Sequence, residues 1–537
     1  MPRAEGPRII LLSGPIGAGK SQLASGLARI HGARVVRTRD LIRAARPEVP
    51  DERAALQRAG SALDRADGGE WVKTALYRLI EAMSAEPDPP TLVVIDAVRI
   101  EGQIAAVRSA FGTLVHHIHL TASEEALAAR YAARGAAGDA AVPFEKARRQ
   151  GTERGVSKLA TLADILVEAD RSSEDAVLTR ATALLGLYPR SVTPLVDVLV
   201  GGQYGSEGKG NIVGHIAPEY DLLVRVGGPN AGHKVFGDPV QVYYHLPSGS
   251  RRAPHARLVL GAGAVLRVPK LLKEISDHGI EADRLSIDPQ AMIIEDGDIE
   301  REAELAKEIA STQQGVGSAS ANKIMGRAGL QIRLARDVPE LKPYLRDAQE
   351  ILEDAYLKRR RVMLEGTQGT TLSMHHGPYP FVTSRDTTAS GCLADAGISP
   401  MRVRRVIMVC RTYPIRVGGR SGHIEGELTY ETLAARSRIP IDELRTTETT
   451  TTTKRQRRIA EFDWVQLRRS ALLNGPTDIA LTFADYLGVE NRGAYRIDQL
   501  NEATLRFIEE VERVSGVPVS MVSTNFGWRN VIDRRTW

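Results

Sequence analysis

At 537 residues, 42% hydrophobic and 26% charged, the chain exceeds one ordinary domain and carries apolar material for more than one core. Its 71 basic and 66 acidic residues nearly cancel to a net charge of +5. The arginines gather near phosphate-type motifs rather than in a basic tail, which favours small phosphorylated substrates over direct nucleic-acid binding.

No apolar run approaches the ~20 residues of a membrane span, and the N-terminus lacks a long apolar h-region. Cys392 and Cys410 lie in hydrophobic sequence without CxxC spacing, so buried thiols in a reducing, cytoplasmic compartment are expected. In chain order, residues 8–13 read as a buried strand, a short apolar run closed by a glycine-rich turn. A helix is expected from Lys20 to about His31. Strand-like runs recur at 92–95 and 114–120 with helical segments between them, the alternation of a parallel sheet flanked by helices. Residues 135–143 read as a loop. Two prolines within 188–194 mark the boundary, giving a first domain of 1–188, a linker of 189–195 and a second domain of 196–537. The second opens on a strand at 196–200, again ended by a glycine-rich turn, and continues as α/β with longer loops. Seven of the eight residues 446–453 are threonine, an extended loop by composition, followed at once by Lys454-Arg455-Gln456-Arg457-Arg458.

The first turn, Gly14-Pro-Ile-Gly17-Ala-Gly19-Lys20-Ser21, matches G-x-x-x-x-G-K-[ST] between a strand and a helix. Its glycines let backbone N–H groups face phosphate oxygens, and the helix N-terminus adds its dipole. Lys20 is expected on the β/γ-phosphates and Ser21 on Mg²⁺. Residues 8–185 resemble nucleoside monophosphate kinases: Arg37-Thr-Arg-Asp-Leu-Ile-Arg43 is similar to their monophosphate-binding stretch. Val94-Ile-Asp96-Ala-Val-Arg99 is similar to their second acidic strand end, and Arg130 and Arg134 fall where they keep lid arginines. Each of Arg43, Arg99, Arg130 and Arg134 also reads as a solvated helix charge.

The second turn, Gly201-Gly-Gln-Tyr-Gly205-Ser206-Glu207-Gly208-Lys209-Gly210, is another phosphate cradle. Val226-Gly-Gly-Pro-Asn230-Ala-Gly232-His233, Leu364-Glu-Gly-Thr-Gln368-Gly and Tyr379-Pro-Phe-Val-Thr383-Ser follow in order. With these four motifs the chain resembles the adenylosuccinate synthetases from about Val196 to its end. The resemblance implies a ligase that phosphorylates the 6-oxygen of a purine nucleoside monophosphate and then lets aspartate displace that phosphate. It places His233 on the 6-oxygen and the transferring phosphoryl group. Gly208, Lys209 and Gly210 fall at the triphosphate, and the Gly232 carbonyl on Mg²⁺. Asn230, Thr312, Gln314, Gln368, Thr383 and Arg455 fall at the substrate nucleotide. Arg327 falls near the family's arginine that crosses a dimer interface, so a homodimer is implied. Thr452, Thr453, Arg455 and Arg457 match the loop that closes over aspartate, where arginines grip a carboxylate. Asp485 matches the acid that reads the base of the triphosphate.

Two departures bear on the substrate. Ser206 stands where the family has the aspartate that takes the N1 proton of IMP, and a serine hydroxyl is no general base at neutral pH. A phage-associated branch of the family shares this serine and acts on dGMP, whose 2-amino group a smaller serine accommodates. Phe483 replaces the lysine that packs over guanine, and Ser523-Thr-Asn-Phe-Gly527 replaces Ser-Thr-Gly-Pro, which brings ATP or dATP forward beside GTP as phosphoryl donor. The expected fold is α/β in both domains, a P-loop kinase-like sheet followed by a larger synthetase-like domain. Three readings stand: a GMP- or dGMP-using ligase fused to a kinase-like domain, a conventional IMP-using synthetase, and a nucleotide sensor without turnover.

Overall fold

The structure, a computed structural model, describes residues 6–134, 143–148, 155–170, 172–188, 192–230, 232–237, 239–328, 332–449 and 455–536. Residues 135–142 of the expected loop and 450–453 of the threonine run lie outside these residues. Two compact units divide the chain, Met1–Arg190 and Ser191–Trp537.

The first unit is a five-stranded parallel sheet. β1 (Arg8–Ser13) lies between β3 (Leu92–Asp96) and β4 (Val115–Thr121), with β2 (Arg34–Arg37) and β5 (Ile165–Glu168) at the edges. Alternation along β1 explains its central place: Ile10 and Leu12 enter one apolar cluster, Ile9 and Leu11 the other, so helices cover both faces. α1 (Lys20–His31) begins at Gly19, whose φ of 95° opens the turn, and stops at Gly32, whose N–H bonds back to Ala28.

The second unit holds a nine-stranded sheet in the order β9-β8-β7-β10-β6-β11-β12-β13-β14. Its strands are β6 (Val196–Gly201), β7 (Leu222–Arg225), β8 (Arg257–Leu260), β9 (Leu285–Ile287), β10 (Val362–Glu365), β11 (Val403–Arg411), β12 (Asp478–Thr482), β13 (Val519–Ser523) and β14 (Val531–Asp533). All pairings are parallel except β13 with β14. β6 is buried along its whole length, as a central strand covered on both faces must be. In such a sheet ligands gather beyond the C-terminal strand ends. Here β6 ends at the Gly201 turn, β7 at Arg225, β10 at Glu365, β11 at Arg411 and β12 just before Phe483. Five strands thus deliver polar groups to one edge. Among the described residues no helix is long and apolar enough to cross a membrane.

Candidate active sites

In the first unit, Gly14, Gly17 and Gly19 all have positive φ, which lets the turn curl between β1 and α1. Lys20 folds back over this turn and donates to the Gly14 and Pro15 carbonyls at 2.7 and 2.9 Å. Ser21 donates to the Asp96 carboxylate at 2.9 Å. A cavity of about 760 Å³ brings together Lys20, Ser21, Thr38, Asp96, Arg99 and Arg130. The Ser21 hydroxyl and Asp96 carboxylate are the hard oxygen pair that Mg²⁺ takes beside phosphates, so these residues fit the ion. Arg43 is not brought in: it is exposed and pairs with Asp51 at 3.4 Å, because its helix face points to solvent. The side chain of Arg134 lies outside the described residues.

In the second unit, Glu207 organises the turn after β6. Its carboxylate accepts from the Gln203 and Gly205 N–H groups at 3.0 and 2.7 Å and from Lys209 at 2.6 Å. Lys209 also donates to the Gly205 and Gln368 carbonyls at 3.2 and 2.5 Å. The lysine expected on phosphate oxygens is therefore a buried brace of the turn, three of its donors taken up by protein. Ser206 stands free of that brace and lines two cavities, of about 240 and 100 Å³, that share Gly205, Gly232, His233 and Arg457.

His233 sits between the cavities. Its Nδ1 is 2.5 Å from the Glu365 carboxylate, which also accepts from Arg225 at 2.8 Å, from the Ser248 N–H at 2.7 Å and from the Ser248 hydroxyl. Burial alone raises the Glu365 pKa, but Arg225 and His233 outweigh it and hold it at about 2. A carboxylate only accepts, so Nδ1 carries a proton and Nε2 faces the cavities, buried and without a partner. Burial first, then Arg225, lowers the His233 pKa to about 4. Negative charge arriving beside Nε2 reverses that balance and favours the imidazolium. Glu365, Arg225 and Ser248 escaped the sequence reading, although Glu365 lies inside one of the quoted motifs. A carboxylate ending a buried strand was the available signal.

The larger cavity collects Asn230, Thr312, Gln368, Thr383 and Arg457 as expected, and adds Tyr204, Phe381 and Arg416. Gln368, at φ 65°, donates its amide to the Thr383 hydroxyl at 2.6 Å, which leaves its Oε1 buried and unpartnered, as is the Oδ1 of Asn230 in the same cavity. Gln314 is turned away: it donates to the Thr312 carbonyl at 3.1 Å, accepts from Lys270 at 3.2 Å, and so braces the loop instead of lining the cavity. Arg327 is exposed, bonded to the Ile324 carbonyl of its own turn, and Arg455 is exposed outside both cavities. Thr452 and Thr453 lie outside the described residues.

The smaller cavity is bounded by Gly208, Lys209, Gly210, Phe236, Arg411, Glu448, Phe483 and Phe526. The Phe526 ring centroid lies 5.2 Å from that of Phe483 and 5.0 Å from that of Phe236, an aromatic platform suited to a base. Asp485 does not line it. It is buried behind Phe483 with one oxygen accepting from Arg492 at 3.3 Å and the other unpartnered, and burial pushes its carboxyl up to about 6 against the pull of Arg492. For Mg²⁺ this edge offers the Gly232 carbonyl and the Ser206 hydroxyl, neutral oxygens that need phosphates to complete a site.

Residues 198–338 and 330–492 match the family model described as adenylosuccinate synthetase, and residues 9–155 match one described as an AAA domain. The adenylosuccinate synthetase of Methanocaldococcus jannaschii is 38% identical over 348 residues, covering 63% of this chain and 96% of the relative. That of Pyrococcus horikoshii is 38% identical over 349 residues, covering 63% and 98%. Among solved structures, the succinoaminodeoxyadenylate synthetase of cyanophage S-2L, bound to dGMP and to dATP as an energy donor, has a TM-score of 0.54 and 29% identity over 64% of this chain and 96% of that one. The fully ligated adenylosuccinate synthetase of Plasmodium falciparum, 23% identical with a TM-score of 0.56, covers 64% of this chain and 100% of its own and shares the fold.

Proposed function

This chain belongs to the adenylosuccinate synthetase family, and from that premise we propose that its ligase joins aspartate to C6 of GMP or dGMP rather than IMP. The observation that carries this reading is the larger cavity's inventory of polar groups. Ser206 replaces a carboxylate, and Asn230 Oδ1 and Gln368 Oε1 are buried acceptors without donors. The guanine edge offers N1–H and a 2-amino group, whereas hypoxanthine offers N1–H alone. Each buried acceptor left unpaired costs about 1–3 kcal/mol, so the base with more donors is favoured. The dGMP bound by the cyanophage relative supports the same choice.

In the reaction His233, oriented by Glu365, faces the 6-oxygen and stabilises charge on the phosphoryl group as it moves between the cavities. Arg457, lining both, grips the aspartate carboxylate. The aromatic platform of Phe236, Phe483 and Phe526, with Asp485 held by Arg492, supports ATP or dATP as donor over GTP. Magnesium, when bound, screens the phosphates. The Gly232 carbonyl would hold it in the ligase, and Ser21 with Asp96 in the P-loop unit. That unit acts as a nucleotide kinase that supplies or consumes the ligase's nucleotides, its acceptor facing Arg99 and Arg130. Ile324 and Met325, exposed beside Arg327, suit a homodimer contact. A conventional IMP-using synthetase is the second reading, favoured by the archaeal relatives. Thermal stabilisation by each monophosphate separates the two: dGMP is expected to raise the melting temperature well above IMP, and an equal or larger shift with IMP contradicts the guanine reading.

A further inference from the structure

The one residue of 446–453 that is not threonine, Glu448, lines the smaller cavity with its side chain 1% exposed. One oxygen accepts from Arg411 at 2.6 Å and from the Tyr486 hydroxyl at 2.7 Å, and the other accepts from Arg457 at 3.3 Å. Burial alone raises its pKa, but Arg411 and Arg457 hold it at about 2. Arg411 reaches three ways. It donates to the Ser206 carbonyl at 3.3 Å, its guanidinium lies 3.9 Å from the Phe483 ring centroid, and its own N–H is fixed by Gln203 at 3.0 Å. The base of the threonine loop is stapled beside it, with the Arg457 N–H bonded to the Glu448 carbonyl at 2.9 Å and Thr449 bridged to Gln456.

One carboxylate facing two guanidiniums leaves a single positive charge uncompensated, next to both cavities. The Nε atoms of Arg411 and Arg457 are buried without hydrogen bonds. An amino-acid carboxylate seated on Arg457 completes the charge balance and firms the Glu448–Arg411 arm beneath Phe483. A base seated on Phe483 and Arg411 holds the same arm from the other side. We infer that Glu448 is a positioning residue that couples the aspartate site to the triphosphate site, so that each ligand tightens the other. The inference rests on the reading of Arg457 as the aspartate contact. Coupling of this kind is reciprocal: whatever factor the triphosphate adds to aspartate affinity, aspartate adds to triphosphate affinity.

The test is aspartate affinity of the full-length protein, by calorimetry, with Mg²⁺ and dGMP present, with and without a non-hydrolysable ATP analogue. For the wild type the analogue is expected to tighten aspartate about ten-fold. In Glu448→Gln that factor falls below about three while dGMP affinity stays within two-fold of wild type, and Tyr486→Phe, which removes one bond to Glu448, falls between. A coupling factor preserved in Glu448→Gln, none in the wild type, or loss of dGMP affinity in step with aspartate overturns the proposal. If the wild type binds and converts IMP but not dGMP, the guanine reading fails, and the same ratio measured with IMP still decides the coupling.

Discussion

At the scale of single residues, the ligase depends on charges that neutralise one another out of water. Glu365 is enclosed by Arg225, Ser248 and His233, and removing its charge takes a carboxylate from beside the buried Arg225 guanidinium. Glu365→Ala is expected to cost about 3–5 kcal/mol in urea unfolding. Glu365→Gln keeps the shape and is expected to lower kcat about 10²–10³-fold with little change in the KM for the purine nucleotide, because the imidazolium of His233 loses its counter-charge. The acid range gives an independent check. The Glu365 pKa falls from 4.5 to about 2 on folding, so its contribution to stability is complete above pH 4.5 and disappears as pH falls through 2. Glu448 behaves alike. The wild type should therefore lose stability steeply between those values, and Glu365→Gln less steeply, as read from urea midpoints across that range. His233, Asn230, Gln368 and Thr383 were legible in the sequence because short motifs carry them. Glu365 and Arg411 were not, since each owes its burial and charge state to partners such as Arg225 and Glu448, 140 and 37 positions away.

At the scale of elements, the strand–turn–helix units that cradle phosphates are the part most exposed to backbone change. Gly205 has a φ of 95°, and a Cβ added there comes within 3.0 Å of the Gln368 Cα. Gly205→Ala is expected to destabilise the second unit by about 1–3 kcal/mol and to abolish purine nucleotide binding, seen as a lower melting temperature that dGMP no longer raises. Both glycine turns, and α1 with its start at Lys20, could be read directly, since a short apolar run ending in glycines leaves few alternatives. The order of the nine strands could not, because β6 pairs with β10 and β11 rather than with its neighbour in sequence. Gln314 was expected to face ligand, and folding turned it away, captured by Lys270 and Thr312, whereas Lys209 lines the smaller cavity with its amino group held by Glu207 and Gln368.

At the scale of the molecule, two compact units each carry a phosphate cradle with its own cavity. Lys20→Ala is expected to remove phosphoryl transfer by the first unit and to leave succinylation by the second within two-fold, in parallel assays on one preparation. Loss of both activities would mean that the units work as one. The central claim, that Ser206 and the unpaired acceptors around it mark a guanine-using ligase, is tested most directly by mass spectrometry of the product. Protein, Mg²⁺, aspartate and ATP or GTP are incubated with IMP, GMP and dGMP in turn. A succinylated product from GMP or dGMP and none from IMP is the expected result, whereas product from IMP alone would contradict the account.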